Sequence, residues 1–227
     1  MDMKSSEAYD FKVQRATSTM RYSVTESIRN AIAVGRYQAG DRMPERDLCE
    51  MTGVSRTVVR EALRQLESEG LVHVIPHKGP TVATINREQA KGIYEVREVL
   101  ESLAARLFAE NATSSDMAEL ERAYEQVKGT YLEGDVLDRL AAKNYFYECL
   151  INGAGNEALG QTLHLINARA MILRGRSLQM PSRGKKSLAE LKEIIQALKD
   201  RKPDEAYKLA QHHVRMAAEA ALQSFTD

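Results

Sequence analysis

Three arginines lie at a spacing that places them on one side of a helix. Arg56, Arg60 and Arg64 are each four residues apart, and residues four apart on an α-helix project from the same face. A guanidinium group can donate two parallel hydrogen bonds to O6 and N7 of guanine in the major groove of DNA. The spacing therefore indicates base recognition, and a solvated amphipathic helix with a basic face is the alternative interpretation.

The elements around these arginines predict a helix-turn-helix. The opposite face of the arginine helix is apolar at helical spacing, and Ser55 stands at its N-cap position. A short helix over residues 45–51 precedes it, and Gly53 lies in the turn that separates the two helices. An earlier amphipathic stretch over residues 23–34 predicts the first helix of the same unit.

A small hairpin is predicted directly after the arginine helix. Residues 71–75 are rich in β-branched side chains, residues 76–80 form a turn bounded by prolines, and residues 81–83 run back. His77 and Lys78 stand at the tip of this turn. A basic tip beside a recognition helix suits the backbone or the minor groove of DNA, whereas a purely structural hairpin is the alternative.

The distribution of charge gives modest support to a nucleic-acid partner. The chain of 227 residues carries 32 basic and 32 acidic residues. Residues 11–84 contain 11 Lys or Arg against 8 Asp or Glu, a net charge of +3, and residues 85–227 contain 20 against 21, a net charge of −1. A basic surface would therefore have to be a local patch.

No stretch of the sequence predicts a membrane or secretory segment. Apolar runs stay below the roughly 18 residues that a membrane span needs, and the first residues are polar and acidic, unlike a signal peptide. The two cysteines, Cys49 and Cys149, lie on predicted helices, where a disulfide is not expected. These features predict a cytoplasmic protein.

The C-terminal part predicts an antiparallel bundle of helices. No strand alternation or glycine-rich loop follows residue 85, and Pro181 and Pro203 are the only prolines there. A basic stretch from Arg183 to Lys186 predicts a solvated connection. The predicted helices span residues 87–110, 114–132, 135–153, 156–179, 187–200 and 203–225.

The N-terminal residues resemble the winged helix-turn-helix domain of GntR-family transcriptional regulators. The resemblance rests on about 60 residues in unbroken register. Its motifs are Gly40-x-x-Met43-x-Glu45-Arg46-x-Leu48, Gly53-Val54-Ser55-Arg56-Thr57-x-Val59-Arg60-Glu61-Ala62-Leu63, Leu66-x-x-Glu69-Gly70-Leu71-Val72 and Gly79-x-x-Val82.

The resemblance implies which residues contact DNA. Arg56 and Arg60 would face the bases, in agreement with their spacing, and Arg64 would touch phosphate or pair with Glu61 or Glu67. The residues expected at the DNA are Arg46, Ser55, Arg56, Thr57, Arg60, His77, Lys78 and Gly79.

The C-terminal segment resembles the helical FCD domain found in the FadR-like branch of that family. The matching pieces are Val96-Arg97-Glu98-x-Leu100-Glu101, Phe146-x-x-x-Leu150-x-x-x-x-Gly155-Asn156, Ile194-Ile195-x-Ala197-Leu198 and His213-Val214. The resemblance implies a chain that is mainly α-helical. It would consist of an arm at 1–17, a winged helix-turn-helix at 18–84, and a helical effector-binding and dimerisation domain at 85–227.

Many members of this branch bind a metal through an acidic residue and three histidines. The corresponding positions here are Lys143, Tyr147, Leu191 and His213. Neither a lysine ammonium nor a leucine side chain is a metal ligand at neutral pH. We therefore predict no metal and no other cofactor, and substitution by His164 or His212 is the alternative.

The lysine at the first of these positions suggests a different way to hold an acidic ligand. Lys143, with Tyr147 as a hydroxyl donor, could bind a carboxylate directly. The alternative is that Lys143 turns to solvent and the domain holds an apolar ligand or none. The effector-binding candidates are Arg97, Lys143, Asn144, Tyr147, Arg169, Arg174 and His213.

Together these features predict a ligand-responsive, homodimeric regulator that binds operator DNA as a repressor and is relieved by a small metabolite such as an organic acid. Two recognition helices would meet two half-sites of an inverted repeat. Activation is the alternative outcome of ligand binding. A helical small-molecule-binding protein or enzyme that uses the winged helix for protein contacts is the rival function.

Overall fold

The computed structural model describes residues 18–178, 183–223 and 225, so the predicted arm at 1–17 lies outside the described residues. Within the described ranges the chain forms nine helices and one antiparallel hairpin. The elements are α1 (Ser18–Ala33), α2 (Glu45–Thr52), α3 (Arg56–Ser68), β1 (Val72–Ile75), β2 (Gly79–Val82), α4 (Arg87–Asn111), α5 (Ser114–Glu133), α6 (Val136–Gly153), α7 (Glu157–Leu178), α8 (Arg183–Lys199) and α9 (Pro203–Leu222).

The first three helices and the hairpin form the predicted winged helix-turn-helix around their own core. α1 begins five residues before the predicted start, and the other bounds agree to within a few residues. β1 pairs with β2 in the register Val72↔Val82 to Ile75↔Gly79. The core is apolar and fully enclosed, with Ile28, Met43, Leu48, Val59, Leu66 and Leu71 among its buried members.

The turn between α2 and α3 depends on a glycine. Gly53 has φ +71 and ψ +15, and its N–H donates to the carbonyl of Cys49, which closes α2. Only glycine adopts this left-handed conformation without steric cost. Ser55 then occupies the N-cap of α3 as predicted, but its side chain does not form the capping hydrogen bond.

The remaining helices, α4–α9, form the second domain. Asn86, Thr113 and Asp135 start α4, α5 and α6 with capping boxes, in which side chain and backbone satisfy one another. α4 packs lengthwise against α9, and the helices enclose an apolar core that includes Phe108 and Phe146. None of the described helices is both long and apolar enough to cross a membrane.

The start of α8 differs from the prediction. The basic stretch 183–186 is the first turn of this helix rather than a solvated connection. Arg183 is buried and forms an ion pair with Glu190, two turns along α8. That internal partner compensates for the loss of water around the guanidinium group, so the helix can begin four residues earlier than its sequence predicts.

Among the described residues, the contacts between the domains include one at the end of α1 and one just after α3. Ala33, the last residue of α1, packs in an apolar cluster with Leu140 of α6 and Tyr131 of α5. On α7, the Arg169 guanidinium lies so close to Gly70 that a Cβ at that glycine would come within 2.5 Å of Arg169 Nε. The helical domain therefore contacts both α1 and the residue that follows the C-terminus of α3.

Candidate nucleic-acid interface and ligand site

α3 separates its polar and apolar side chains as the sequence predicts. Ser55, Arg56, Thr57, Arg60 and Arg64 are exposed. The opposite face is buried in the domain core and consists of Val58, Val59, Ala62, Leu63 and Leu66. A helix held by such a core presents its outer face as a rigid surface that fits the major groove.

Arg60 is oriented by the preceding helix. Its Nε donates to both carboxylate oxygens of Glu45, at 2.8 and 3.0 Å. Glu45 is the first residue of α2, and Arg60 lies in the second turn of α3. This bond spans the helix-turn-helix, and the Arg60 side chain stays 58% exposed.

The other arginines of this face differ in their partners. Arg64 pairs with Glu61, one of the two carboxylates that the sequence offered beside a phosphate contact. Arg46 is three-quarters exposed and lies 3.6 Å from the carboxylates of Asp47 and Glu50. Among the described residues, Arg56 has no carboxylate within ion-pair distance.

The hairpin lies beside α3 and is bonded to it. The N–H of Val74 in β1 donates to the Glu67 carboxylate at 3.2 Å, near the end of α3. His77 and Lys78 are exposed at the tip, where His77 has φ +64, and Gly79 follows as the first residue of β2. Exposed basic side chains therefore lie on both α3 and the wing.

The second domain holds a buried polar cluster, which we call the Lys143 cluster: Lys143, Tyr147, Arg183, Ser187, Glu190 and His213. Lys143 is 6% exposed, and its Nζ donates to the Ser187 hydroxyl at 2.7 Å. This ammonium lies inside the domain rather than in solvent, so the alternative in which it turns outward does not describe this structure.

A chain of hydrogen bonds links the other members of the cluster. The two terminal nitrogens of Arg183 donate to the two carboxylate oxygens of Glu190, at 2.6 and 2.7 Å. Glu190 also lies 2.6 Å from Nδ1 of His213, and Nε2 of His213 lies 3.1 Å from the Tyr147 hydroxyl. Helices α6, α8 and α9 therefore meet at one continuous polar network.

The protonation states in this network follow from its geometry. Burial lowers the pKa of His213 to about 4, assisted by the positive charge of Lys143, so the imidazole is neutral at pH 7. Burial opposes ionisation of Glu190, but the hydrogen bonds from His213 and Arg183 lower its pKa to about 2. Since the carboxylate only accepts, the proton of His213 lies on Nδ1, and Nε2 accepts from Tyr147.

Arg97 lies deep in the same domain with a partner of its own. It is buried, and its Nε donates to Glu101 at 2.7 Å while its guanidinium lies over the ring of Tyr94. Burial alone would lower the pKa of Arg97, but the charges of Glu101 and of nearby Tyr94 and Tyr147 raise it above its ordinary value. Arg97 therefore has its own carboxylate partner, Glu101, one turn along α4.

The remaining effector candidates occupy other places. Asn144 is half-buried on α6, beside Lys143 in the chain. Arg169 is not brought to the cluster, because its guanidinium lies against Gly70 of the other domain. The side chain of Arg174 lies outside the described part of the structure.

The residues at the four positions where related domains hold a metal do not fit one. Lys143 donates to Ser187, and Leu191 is fully buried in the apolar core. His164 and His212 are exposed on the surface. Within the described ranges, no three His, Cys, Asp or Glu side chains come together as a metal site.

Sequence reasoning missed three members of the cluster: Arg183, Ser187 and Glu190. They lie four and three residues apart, a spacing that places them on one face of a helix. This signal was hidden because α8 was expected to begin only at residue 187. Glu190 also lies beside Leu191, the position that the family comparison singled out.

Two family models match the two domains. Residues 21–82 match the model described as "Bacterial regulatory proteins, gntR family", and residues 92–216 match the FCD domain. The second match alone spans more than half of the chain.

Full-length relatives and a solved structure agree with these matches. The chain is 26% identical to an uncharacterised HTH-type transcriptional regulator, YdhC, of Bacillus subtilis, over 87% of this chain and 88% of that protein. It is 26% identical to the galactonate operon transcriptional repressor of Escherichia coli, over 79% and 86%. The structure of Escherichia coli McbR/YncC has the same fold, with a TM-score of 0.82 at 22% identity, over 91% of this chain and 99% of that one.

Proposed function

Because the chain belongs to the GntR family of bacterial transcriptional regulators and carries an FCD domain, we propose that it is a repressor whose affinity for operator DNA is controlled by a small organic acid. Regulators of this type bind operator DNA and are not enzymes, so the rival function as an enzyme has no support from the family.

The observation that carries the proposal is the buried ammonium of Lys143. It occupies the position at which related domains place an acidic metal ligand, and it lies one helical turn from Tyr147 on α6. The Arg183 guanidinium and the Tyr147 hydroxyl belong to the same cluster, where they donate to Glu190 and to His213. We propose that Lys143, beside these donors, binds a carboxylate without a metal.

The Glu190 carboxylate supports this assignment because it already occupies one such environment. It accepts two bonds from Arg183 and one from His213. A largely enclosed carboxylate of the chain, with its side chain 12% exposed, is thus stable at this point of the domain. A ligand carboxylate of similar geometry would gain the same kind of charge-assisted bonds from Lys143.

On the DNA side, we propose that Arg56 and Arg60 read bases while Arg46, Ser55, Thr57 and the wing tip contact the backbone or the minor groove. A single winged helix buries too little surface for high specificity, so we propose a homodimer on an inverted repeat. Repression has a precedent in the galactonate operon repressor, and activation is the alternative outcome of the same mechanism.

Thermal unfolding of the full chain with added organic acids tests the ligand site. The probes are sodium acetate, lactate, succinate and galactonate at matched ionic strength. Binding at a hundred times the dissociation constant stabilises the folded state by about 2.7 kcal/mol. We expect at least one acid to raise the Tm of the wild type and to leave the Tm of Lys143→Met unchanged.

Lys192→Met is the matched control, because Lys192 is an exposed lysine on α8. It should respond to the acid as the wild type does. An equal increase of Tm in the wild type and in Lys143→Met would refute a carboxylate site at Lys143. A gel-shift measurement with the DNA that flanks the gene, with and without the same acid, shows whether binding releases or strengthens the complex.

A further inference from the structure

The ring of Tyr131 lies between the Lys143 cluster and the DNA-binding domain. Tyr131 belongs to α5 and contacts the apolar pair that Ala33 of α1 forms with Leu140 of α6. Ala33 is 5% exposed and Leu140 is 1% exposed, so this is a closed contact between the two domains. α1 ends at Ala33, and a movement of the tyrosine ring would therefore act on the end of a helix of the DNA-binding domain.

On its other side, Tyr131 meets the first turns of α8. A Cβ at Gly184 would lie only 2.7 Å from the Tyr131 ring, so the ring packs directly on the backbone of α8 at that glycine. The Ser187 hydroxyl, one turn further along α8, receives the bond from Lys143 Nζ. Burial raises the pKa of Tyr131, and the nearby Ser187 hydroxyl opposes that rise. Ser187 therefore bonds the lysine of the cluster and lies one turn after the glycine against which the Tyr131 ring packs.

The Tyr131 ring is also in contact with Arg139. The guanidinium of Arg139 lies 5.5 Å from its centre, and Nε of Arg139 donates to the carbonyl of Thr130 at 3.2 Å. With α8 on one side and Arg139 on another, the ring is held against the pair formed by Ala33 and Leu140.

We propose that Tyr131 is the residue that couples the Lys143 cluster to the DNA-binding domain, through Ser187 on one side and Ala33 on the other. The inference rests on the proposed function, since it requires that occupancy of the cluster alters DNA binding. An anion bound to Lys143 would break the bond from Lys143 to Ser187. The side chain of Tyr131 would then shift, and the end of α1, which packs at the same contact, would shift with it. Coupling of this kind requires an element with two arrangements that both sites bias.

The test needs no ligand, because Lys143→Met removes the bond to Ser187 directly. The full chain carries Lys143→Met in three backgrounds: wild type, Tyr131→Phe and Tyr124→Phe. Tyr131→Phe keeps the ring and removes its hydroxyl. Tyr124→Phe is the matched control, because Tyr124 also lies on α5 and bonds α8, at the Leu188 carbonyl, but is absent from the contact with Ala33.

Two readouts are measured for each variant. The first is the affinity for the DNA flanking the gene in a gel-shift titration. The second is the amide hydrogen exchange of residues 29–37, which cover the end of α1. Lys143→Met is expected to change the DNA affinity by about 2- to 30-fold in the wild-type and Tyr124→Phe backgrounds, the usual range for residues along a coupled network. In Tyr131→Phe the change is expected to fall below two-fold.

Equal effects of Lys143→Met in the Tyr131→Phe and Tyr124→Phe backgrounds would overturn the coupling, as would no effect in the wild type on either readout. Failure of the proposed function looks different: the wild type itself would not retard the DNA specifically. In that case the amide hydrogen exchange of residues 29–37 still tests the coupling, because this measurement needs no DNA. Ser187→Ala provides a second route, because it breaks the same link without altering Tyr131 and is expected to reproduce Tyr131→Phe.

Discussion

The Glu45 carboxylate holds Nε of Arg60 through two hydrogen bonds of 2.8 and 3.0 Å across the helix-turn-helix. One acidic residue of α2 thereby restricts a long side chain on the recognition helix before any DNA is present. Restricting a side chain in advance reduces the entropy that binding must overcome. We therefore expect Glu45 to affect DNA binding through Arg60, although its own charge repels phosphate.

Replacing this carboxylate is expected to separate specificity from affinity. In Glu45→Gln, binding to non-specific DNA should rise, because a negative charge near the backbone is lost. The ratio of specific to non-specific affinity should fall by up to about five-fold, as expected for an exposed pair. Competition gel shifts with operator and random DNA measure both quantities. Asp47→Asn is a suitable control on the same helix, and an unchanged ratio in Glu45→Gln would contradict the orienting role.

The three arginines of α3 are expected to differ in what they recognise. Loss of a bidentate contact to guanine weakens specific binding by about 5- to 150-fold, and we expect this for Arg56→Ala and Arg60→Ala. The Arg64 side chain pairs with Glu61. Its removal in Arg64→Ala should weaken binding to all DNA sequences alike and reduce the slope of log affinity against log salt concentration by about one. Salt titrations of the three variants make the comparison, and equal loss of specificity in all three would refute the ranking.

The stability of the helical domain should depend on pH through His213. Its pKa is about 4 in the folded chain against an ordinary value of 6.5. As the pH falls from 6.5 to 4, the unfolded chain takes up a proton that the folded chain excludes, so the free energy of unfolding decreases. A shift of this size corresponds to a loss on the order of 2–3 kcal/mol. Glu190, with its pKa lowered to about 2, adds a further loss below pH 4.5.

Urea unfolding at several pH values between 7 and 4 measures this loss. In His213→Asn the part that comes from the histidine should be missing, so the difference in stability between variant and wild type narrows as the pH falls. His212→Asn is the natural control, because the neighbouring histidine is exposed. Parallel curves for His213→Asn and the wild type would rule out a buried neutral histidine.

Gly70 and Gly53 offer a matched pair for testing the contact between α7 and the DNA-binding domain. Both have φ near +70, so alanine at either position costs about 1–2 kcal/mol of backbone strain. A Cβ at Gly53 meets nothing within 4 Å, whereas one at Gly70 meets the Arg169 guanidinium. Gly70→Ala should therefore be the more destabilising substitution in chemical denaturation. Arg169→Ala should remove that excess, and an excess that persists would mean that the arginine is not its cause.

Local periodicity and turn chemistry predicted most of the fold. The arginine spacing, the glycine turn at Gly53 and the paired prolines around residue 78 each depend on neighbours in the chain, so the elements of the winged helix were predicted in the right order, with the start of α1 placed five residues late. The Lys143 cluster was predicted only in part, because a buried arginine at the start of a helix looks like a solvated loop until its partner Glu190 is known. Contacts between distant elements, such as Ala33 with Leu140, leave no periodic pattern and were not predicted.

The bond from Val74 to Glu67 fixes the wing to the last turns of α3. A domain stiffened in this way turns as one body, so any shift imposed by the helical domain changes where its contact surfaces lie and not what they recognise. In a dimer, the quantity that changes is then the distance between the two DNA-binding domains. We expect an effector to alter the tolerated spacer between half-sites while leaving the preferred bases within each half-site the same.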